Sequence, residues 1–405
     1  MPERGRWVPV WFLFTGGMIN YMDRSAVSIT APLIMRDLRL DAAQLGIMFS
    51  AFFAGYALFT FLGGYAADVF GPKRVLTLAM TVWSAFCGLT ASAGGFVSLL
   101  LVRIVFGCGE GPFSAAANKL VRNWFPRDQI ATAIGLANAG TPIGGALAGP
   151  IAGWLALKYG WRRSFVALAA LGFLWTLVWI PAVRDRATSN WKAVAIEPKR
   201  KLSFYLSQPA VIATGIAFFG YAYVLYFFLT WFPTYLTMSR HLSIRDMGLV
   251  STIPWILGTV GLAASGLVCD LISRTLGDVL RARKLVLVVS LSAAAVFVTS
   301  AGLAANLVST VTFMAAAIFF IYLTGATYWA LIQELVQSEH VGAASRFVHL
   351  IANCAGIIGP AVTGFIVRDT GQFTNAFLLT GAVALAGALF VAVFVRRPNL
   401  NMSAA

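Results

Sequence analysis

The sequence predicts an all-α membrane protein: twelve transmembrane helices in two pseudo-symmetric six-helix bundles. Three observations lead there. Of 405 residues, 59% are hydrophobic and 11% charged, and the mean hydropathy is +0.80, far from the soluble norm. Apolar runs long enough to cross a bilayer recur from one end of the chain to the other. A motif of the first half returns in the second.

A hydrocarbon core of about 30 Å needs roughly 20 mainly apolar residues per helix. Such runs occupy 7–35, 43–67, 75–95, 98–122, 129–157, 164–183, 209–237, 246–270, 285–304, 307–332, 342–367 and 373–395. A closed barrel would instead alternate over segments of about ten residues, so every span is read as a helix. The first run is long, lacks a small-residue cleavage site and carries charges, so it is expected to remain as a membrane helix.

Sorting the loops alternately to two sides puts twenty of the thirty basic residues on one side, from Arg4, Lys73 and Arg74 to Arg281, Lys284 and Arg396. Eight, including Arg36, Arg162 and Arg368, fall on the other. The basic side is the cytoplasmic one, so both termini are expected inside a bacterial inner membrane. The net charge of +15 is then topology and attraction to anionic lipid. It is scattered over short loops with no soluble domain to carry it, which argues against nucleic acid as a partner. Cys87, Cys108, Cys269 and Cys354 lie in or at the ends of apolar runs without metal-ligand spacing, and the three histidines are dispersed, so neither metal nor cofactor is expected.

The repeat decides the architecture. "GGYAADVFGPKR" follows the second span, with Gly64, Asp68, Gly71, Lys73 and Arg74; "SGLVCDLISR" follows the eighth, with Gly266, Asp270 and Arg274 in matching places. Gly266 comes 202 residues after Gly64. A second pair, "LANAGTPIGGALAGPIAG" and "IANCAGIIGPAVTGFI", supports it. The predicted halves are 1–187 and 209–405, joined by a basic linker at 188–208. Two halves around a midplane site that rock in turn is the plan of secondary transporters. There the small residues would let spans two and eleven approach closely, while Asp68 and Asp270 cap or pair with a neighbouring helix end, a gate-like role with Arg74.

"GGYAADVFGPKR" resembles the loop motif of the major facilitator superfamily, and the likeness runs the length of the chain, departing at Val69 and Pro72 where the family usually carries basic residues. "NYMDRSAVSITAPLI", "RIVFGCGEGPFSAAANKLVRNWFP" and "YFFLTWFPTYL" look like its anion:cation symporter branch, which includes permeases for galactonate, glucarate and hexuronates and animal carriers for sialic acid and glutamate. The resemblance implies the superfamily's fold and a transporter rather than an enzyme. No phosphate loop, histidine cluster or nucleophile elbow argues otherwise.

Four charges fall deep within the spans: Asp23, Arg24, Arg103 and Glu110. A central charge costs roughly 2.5–3.5 kcal/mol even on insertion scales, so the four are expected to face a polar cavity and one another. Arg103 and Glu110, seven residues apart, project from one helix face about 10 Å from each other. Asp23 and Arg24 diverge by about 100° and need partners elsewhere, which points to cross-pairing between spans one and four. A guanidinium cannot deprotonate and offers a planar fork to a carboxylate, so Arg24 is the leading anion ligand and Arg103 a supporting one. Asp23 and Glu110 can change charge: burial opposes their ionised form and a neighbouring arginine favours it. With both acids ionised the four charges sum to zero; with both protonated the site is +2. Proton loading then favours carboxylate binding, and the converse.

The resemblance implies the same roles: Asp23 and Glu110 as proton sites engaged by Arg103, and Tyr21, Arg24 and Tyr56 at the substrate. By the same resemblance Asn353 matches a substrate-contacting asparagine, Gln333 replaces a serine, Thr141 stands where a glutamine is usual and Phe218 where another is. Tyr221 is among the aromatics the second half offers instead. Fewer amides suggest an acid less hydroxylated than galactonate, with sugar acids and simpler organic or aromatic carboxylates both open. The expected function is proton-coupled import of an organic carboxylate by a monomer, with an anion exchanger or facilitator, or a non-transporting solute sensor, as alternatives.

Overall fold

The structure is a computed structural model that describes residues 3–185, 201–337 and 340–396. The part of the linker between 186 and 200 lies outside the described residues. All regular elements among those described are helical: α1 (Val8–Leu38), α2 (Ala42–Phe70), α3 (Pro72–Leu89), α4 (Phe96–Glu110), α5 (Phe113–Trp124), α6 (Arg127–Tyr159), α7 (Trp161–Ala182), the short α8 (Leu202–Leu206), α9 (Pro209–Met238), α10 (Ile244–Val250), α11 (Thr252–Leu276), α12 (Val279–Leu303), α13 (Leu307–Leu323), α14 (Thr327–Leu335), α15 (Val341–Thr370) and α16 (Thr374–Phe394). Among the described residues, eleven helical stretches are long and apolar enough to cross a membrane. The twelfth is α1, whose 31 residues carry Asp23 and Arg24.

Local chemistry sets the boundaries. Asp41 and Gln44 form a capping box that starts α2, with Gln44 N–H donating to Asp41 Oδ1 at 2.7 Å and Asp41 N–H to Gln44 Oε1 at 3.0 Å. Gly71 closes α2 at φ +85°, a conformation that disfavours any side chain, and Pro72 opens α3 where its missing N–H costs nothing. Three spans read as continuous are divided. The fourth breaks between Glu110 and Phe113, where Pro112 offers no N–H; the eighth is α10 plus α11, and the tenth is α13 plus α14, parted at Thr324–Ala326.

Contacts group the chain into two compact units whose boundaries do not coincide with the sequence halves. The first comprises the described residues of 1–192, 226–256 and 356–376; the second, those of 193–225, 257–355 and 377–405. Within the first, α1 packs along α6, α2 along α4 and α3 along α7. Segments of α9, α10, α11 and α15 join them through small residues. A Cβ on Gly46 of α2 would meet Pro360 O of α15 at 2.5 Å, and one on Gly149 of α6 would meet Gly248 O of α10 at 2.1 Å. Ala361 N–H donates to Ser50 Oγ at 3.0 Å, and Trp231 Nε1–H donates to Pro360 O at 3.0 Å. Spans two and eleven do approach closely, but at Gly46 and Gly364 rather than at the Gly64–Arg74 motif. Gly64 instead faces Ala115 of α5, and Gly63 lies on Pro112. In the second unit α12 packs along α13. Both units leave leucines, valines and phenylalanines exposed along their helices, among them Leu58, Leu101, Leu177 and Leu267, the outward faces a bilayer requires.

Candidate functional site

The four intramembrane charges lie in the first unit and are all buried: Asp23 and Glu110 at 0%, Arg103 at 2% and Arg24 at 6% exposure. The glycines of "FGCGEG" let them meet. A Cβ on Gly107 would stand 2.0 Å from Phe52 O, and one on Gly111 2.7 Å from Tyr56 O, so α4 lies directly on the α2 backbone. Gly109, on another face, does the same against the Trp83 backbone of α3 at 2.8 Å. With no side-chain layer on those faces, α4 sits between α2 and α3 and its last residue, Glu110, reaches α1.

There Arg24 donates to Glu110 Oε2 from Nε at 3.1 Å and from Nη2 at 2.6 Å. Nη2 also reaches Asn20 Oδ1 at 3.4 Å. The guanidinium is framed by rings, its Cζ 4.7 Å from the Tyr56 centroid, 4.9 Å from Phe52 and 5.1 Å from Tyr21. Arg103 lies over the same Phe52, also at 4.9 Å, and over Phe106 at 4.5 Å, so Phe52 stands between two guanidiniums. Cation–π attraction of this kind reaches about 2 kcal/mol or more when water is excluded. Arg103 makes no ion pair among the described residues. Asp23 lies close to Glu110, to Arg103 and to the Trp83 and Cys87 side chains of α3; neither of its oxygens, nor Glu110 Oε1, has a hydrogen bond among the described residues. Cross-pairing of spans one and four is thus present for Arg24 with Glu110 and absent for Arg103 with either acid.

Of the remaining candidates, Tyr21 is half-buried edge-on to Trp255 at 5.8 Å, and Tyr56 stacks on Phe52. Thr141, half-buried on α6, donates to Asn138 O and rests its methyl against Gly17 of α1. The second unit holds Tyr221, Asn353 and Gln333. Tyr221 packs edge-on to Tyr328 at 5.6 Å in a cluster where Phe218 stacks on Tyr328 at 4.4 Å and His349 lies beside Trp329 at 5.4 Å. Asn353 is buried and Gln333 exposed on α14. In the repeated loop, Asp68 pairs with Lys119 of α5, while Arg74 and Asp270 are exposed. Residues missed at sequence level are Phe52, Trp83 and Asn20; none carries a charge, and only their place beside the arginines or Asp23 marks them. Among the described residues, no group of histidines, cysteines and acids could hold a metal ion.

A dozen membrane-crossing helices from a duplicated chain, with a buried charge cluster in the interior of the first unit, define a multi-pass membrane transport protein. The Major Facilitator Superfamily profile matches residues 13–345, and the chain belongs to that superfamily. Among its relatives is a "Hexuronate transporter" of Bacillus subtilis (strain 168), 50% identical over 396 residues that cover 96% of this chain and 94% of the relative. A "Probable L-galactonate transporter" of Escherichia coli (strain K12) is 30% identical over 403 residues, covering 95% and 88%. A solved D-xylose-proton symporter shares the fold with a TM-score of 0.78 at 16% identity, covering 96% of this chain and 98% of that one.

Proposed function

We propose that the chain is a proton-coupled symporter that imports an organic carboxylate of the sugar-acid class, with a hexuronate as the leading substrate. The observation that carries this reading is the buried Arg24–Glu110 pair. A guanidinium whose partner is a titratable carboxyl changes its availability with that carboxyl's proton. When Glu110 is ionised it occupies the Arg24 fork; when it is protonated the fork is released to a substrate carboxylate of the same planar geometry. Asp23, near Arg103 and lacking a hydrogen bond among the described residues, is the second proton carrier, and Arg103 holds positive charge beside it. Binding of anion and proton therefore favour each other reciprocally.

The rings around Arg24 fit a uronate better than an open-chain acid. A pyranose presents a face of C–H bonds to Tyr56, Tyr21 and Phe52 while its carboxylate meets the arginine, an arrangement that needs fewer amides than an extended polyol. The names of the relatives point to the same class. Asp68 with Lys119, Arg74 and the Asp270 counterpart take a gate-like part at the basic ends of the helices. The chain acts as a monomer in a bacterial cytoplasmic membrane with both termini inside, built from the halves 1–187 and 209–405.

The test is uptake of labelled galacturonate or glucuronate into proteoliposomes under an imposed inward proton gradient. Accumulation that follows the gradient supports symport. Flux indifferent to protons assigns exchange or facilitation, and binding without flux assigns a sensor.

A further inference from the structure

Away from the charge cluster, each half of the chain has a basic cavity at the same place in its own repeat, where its third membrane helix begins and its sixth ends. The first, about 640 Å³, lies at the start of α3 and the end of α7 and is lined by Lys73, Arg74, Arg184 and Asp185. The second, about 330 Å³, lies at the start of α12 and the end of α16 and is lined by Asp278, Arg281, Lys284 and Arg396. Each therefore combines three cations with one acid.

The hydrogen bonds correspond as well. Lys73 Nζ donates to Ile180 O at 2.8 Å, and Lys284 Nζ donates to Val395 O at 2.9 Å, so in both halves a lysine of the third helix is tied to a carbonyl at or near the end of the sixth. In each an acid accepts from a backbone N–H in the first turn of the third helix, though from different places: Asp185, just past the sixth helix, accepts through Oδ1 from Lys73 N–H at 3.0 Å, and Asp278, the N-cap of the third, accepts through Oδ1 from Arg281 N–H at 3.2 Å. Arg74 and Arg184 are exposed and make no hydrogen bond among the described residues. Beside the first cavity's charges stand Leu78, 66% exposed, and Ile180, 47% exposed. Both cavities sit at the helix ends that the basic-residue distribution assigns to the cytoplasm.

We propose that these are two inner-leaflet pockets, one per half, for the headgroup of an anionic phospholipid. The cations meet the phosphate, and the exposed leucine and isoleucine lie along the acyl chains. Basic pockets between membrane helices on the cytoplasmic side suit such headgroups, and a free inorganic anion would make no use of the apolar flank. Both pockets set two arginines and a carbonyl-tied lysine around one acid, though in the second Arg281 pairs with Asp278 and Arg396 Nε–H donates to Val393 O; this recurrence of charge type favours a ligand that meets both halves of the molecule alike, as the surrounding leaflet does.

Native mass spectrometry of the protein in neutral detergent tests this, with phosphatidylglycerol or phosphatidylcholine added and inorganic phosphate as competitor. Two phosphatidylglycerols retained per chain are expected, one in Arg74→Gln/Arg184→Gln, one in Arg281→Gln/Arg396→Gln and none with all four changes. The matching lysine substitutions should keep both lipids, which separates lost charge from lost folding. Equal retention of phosphatidylcholine, a lipid count unmoved by the glutamine variants, or displacement by inorganic phosphate would each overturn the proposal.

Discussion

Arg24 and Glu110, 86 residues apart in sequence, meet through two donors on one oxygen: Nε at 3.1 Å and Nη2 at 2.6 Å from Oε2. The contact joins α1 to the end of α4 in a water-poor interior, and Glu110 Oε1 is left without a hydrogen bond among the described residues. A pair that were only a packing device would gain by engaging both oxygens. The one-sided grip leaves the carboxyl able to take a proton without first breaking a fork-to-fork contact.

Arg24→Lys should reduce uptake kcat/KM at least about tenfold, a loss of about 1.4 kcal/mol, because a point charge replaces the planar fork at the carboxylate. The ammonium keeps the charge, so the fold should hold. Arg24→Ala should destabilise the protein by about 3–5 kcal/mol, since it strands a buried carboxylate. Proteoliposome uptake and thermal unfolding in detergent measure the two effects separately. Equal loss of stability in both variants would show that the arginine serves packing alone.

Glu110→Gln removes the titratable group but keeps its shape and a hydrogen-bonding oxygen for Arg24. Accumulation driven by a pH gradient should vanish, while exchange of internal for external labelled substrate persists. Asp23→Asn should behave alike if the acids share the proton load. Wild-type accumulation in the double variant would remove protons from the mechanism.

The helix count, the repeat and the four deep charges could all be read from hydropathy and position, because a bilayer penalises every misplaced charge. Helix breaks were less legible. Gly111–Pro112 and Gly325 sit within apolar runs, and hydropathy does not register a missing N–H or a local turn. The repeat was also only partly read: Gly277, at φ +62°, stands before α12 as Gly71, at φ +85°, stands before α3, yet the flanking residues differ enough to hide the match. Sequence spacing placed Arg103 and Glu110 on one face of α4, but could not tell that Phe52 from another helix would come between Arg103 and Arg24. That depends on the close approach of α2 and α4 through Gly55, Gly107 and Gly111, a tertiary fact with no local signature.

Those glycines make a steric prediction. A Cβ at Gly107 would lie 2.0 Å from the Phe52 carbonyl oxygen, a backbone atom that cannot rotate away. Gly107→Ala should therefore push α4 off α2 and lower stability by about 1–3 kcal/mol, the usual cost of overpacking, with transport lost as Glu110 moves. Gly64→Ala, whose Cβ would meet only Ala115 at 3.9 Å, should unfold at the wild-type temperature. Thermal melts of the two variants side by side check the contrast. A Gly107→Ala protein as stable as wild type would mean that α2 and α4 are not in backbone contact.

The final prediction concerns pH at the end of α1 and the start of α7. Asp37, beyond the first membrane-spanning run, accepts from the Arg162 guanidinium and from Trp161 Nε1–H, the latter at 3.1 Å. The Arg162 hydrogen bond, then that of Trp161, holds its carboxyl below the usual carboxylate range. A carboxyl lowered by folding contributes stability above its unfolded value of about 3.9 and loses it as the pH falls through the lower folded value. The site is exposed, so the effect is modest and should shrink with added salt. The unfolding temperature of wild type minus that of Asp37→Asn should be positive at pH 7 and shrink towards zero as the pH falls below the unfolded value of about 3.9. A difference that is constant across that range would assign the contact to geometry rather than charge.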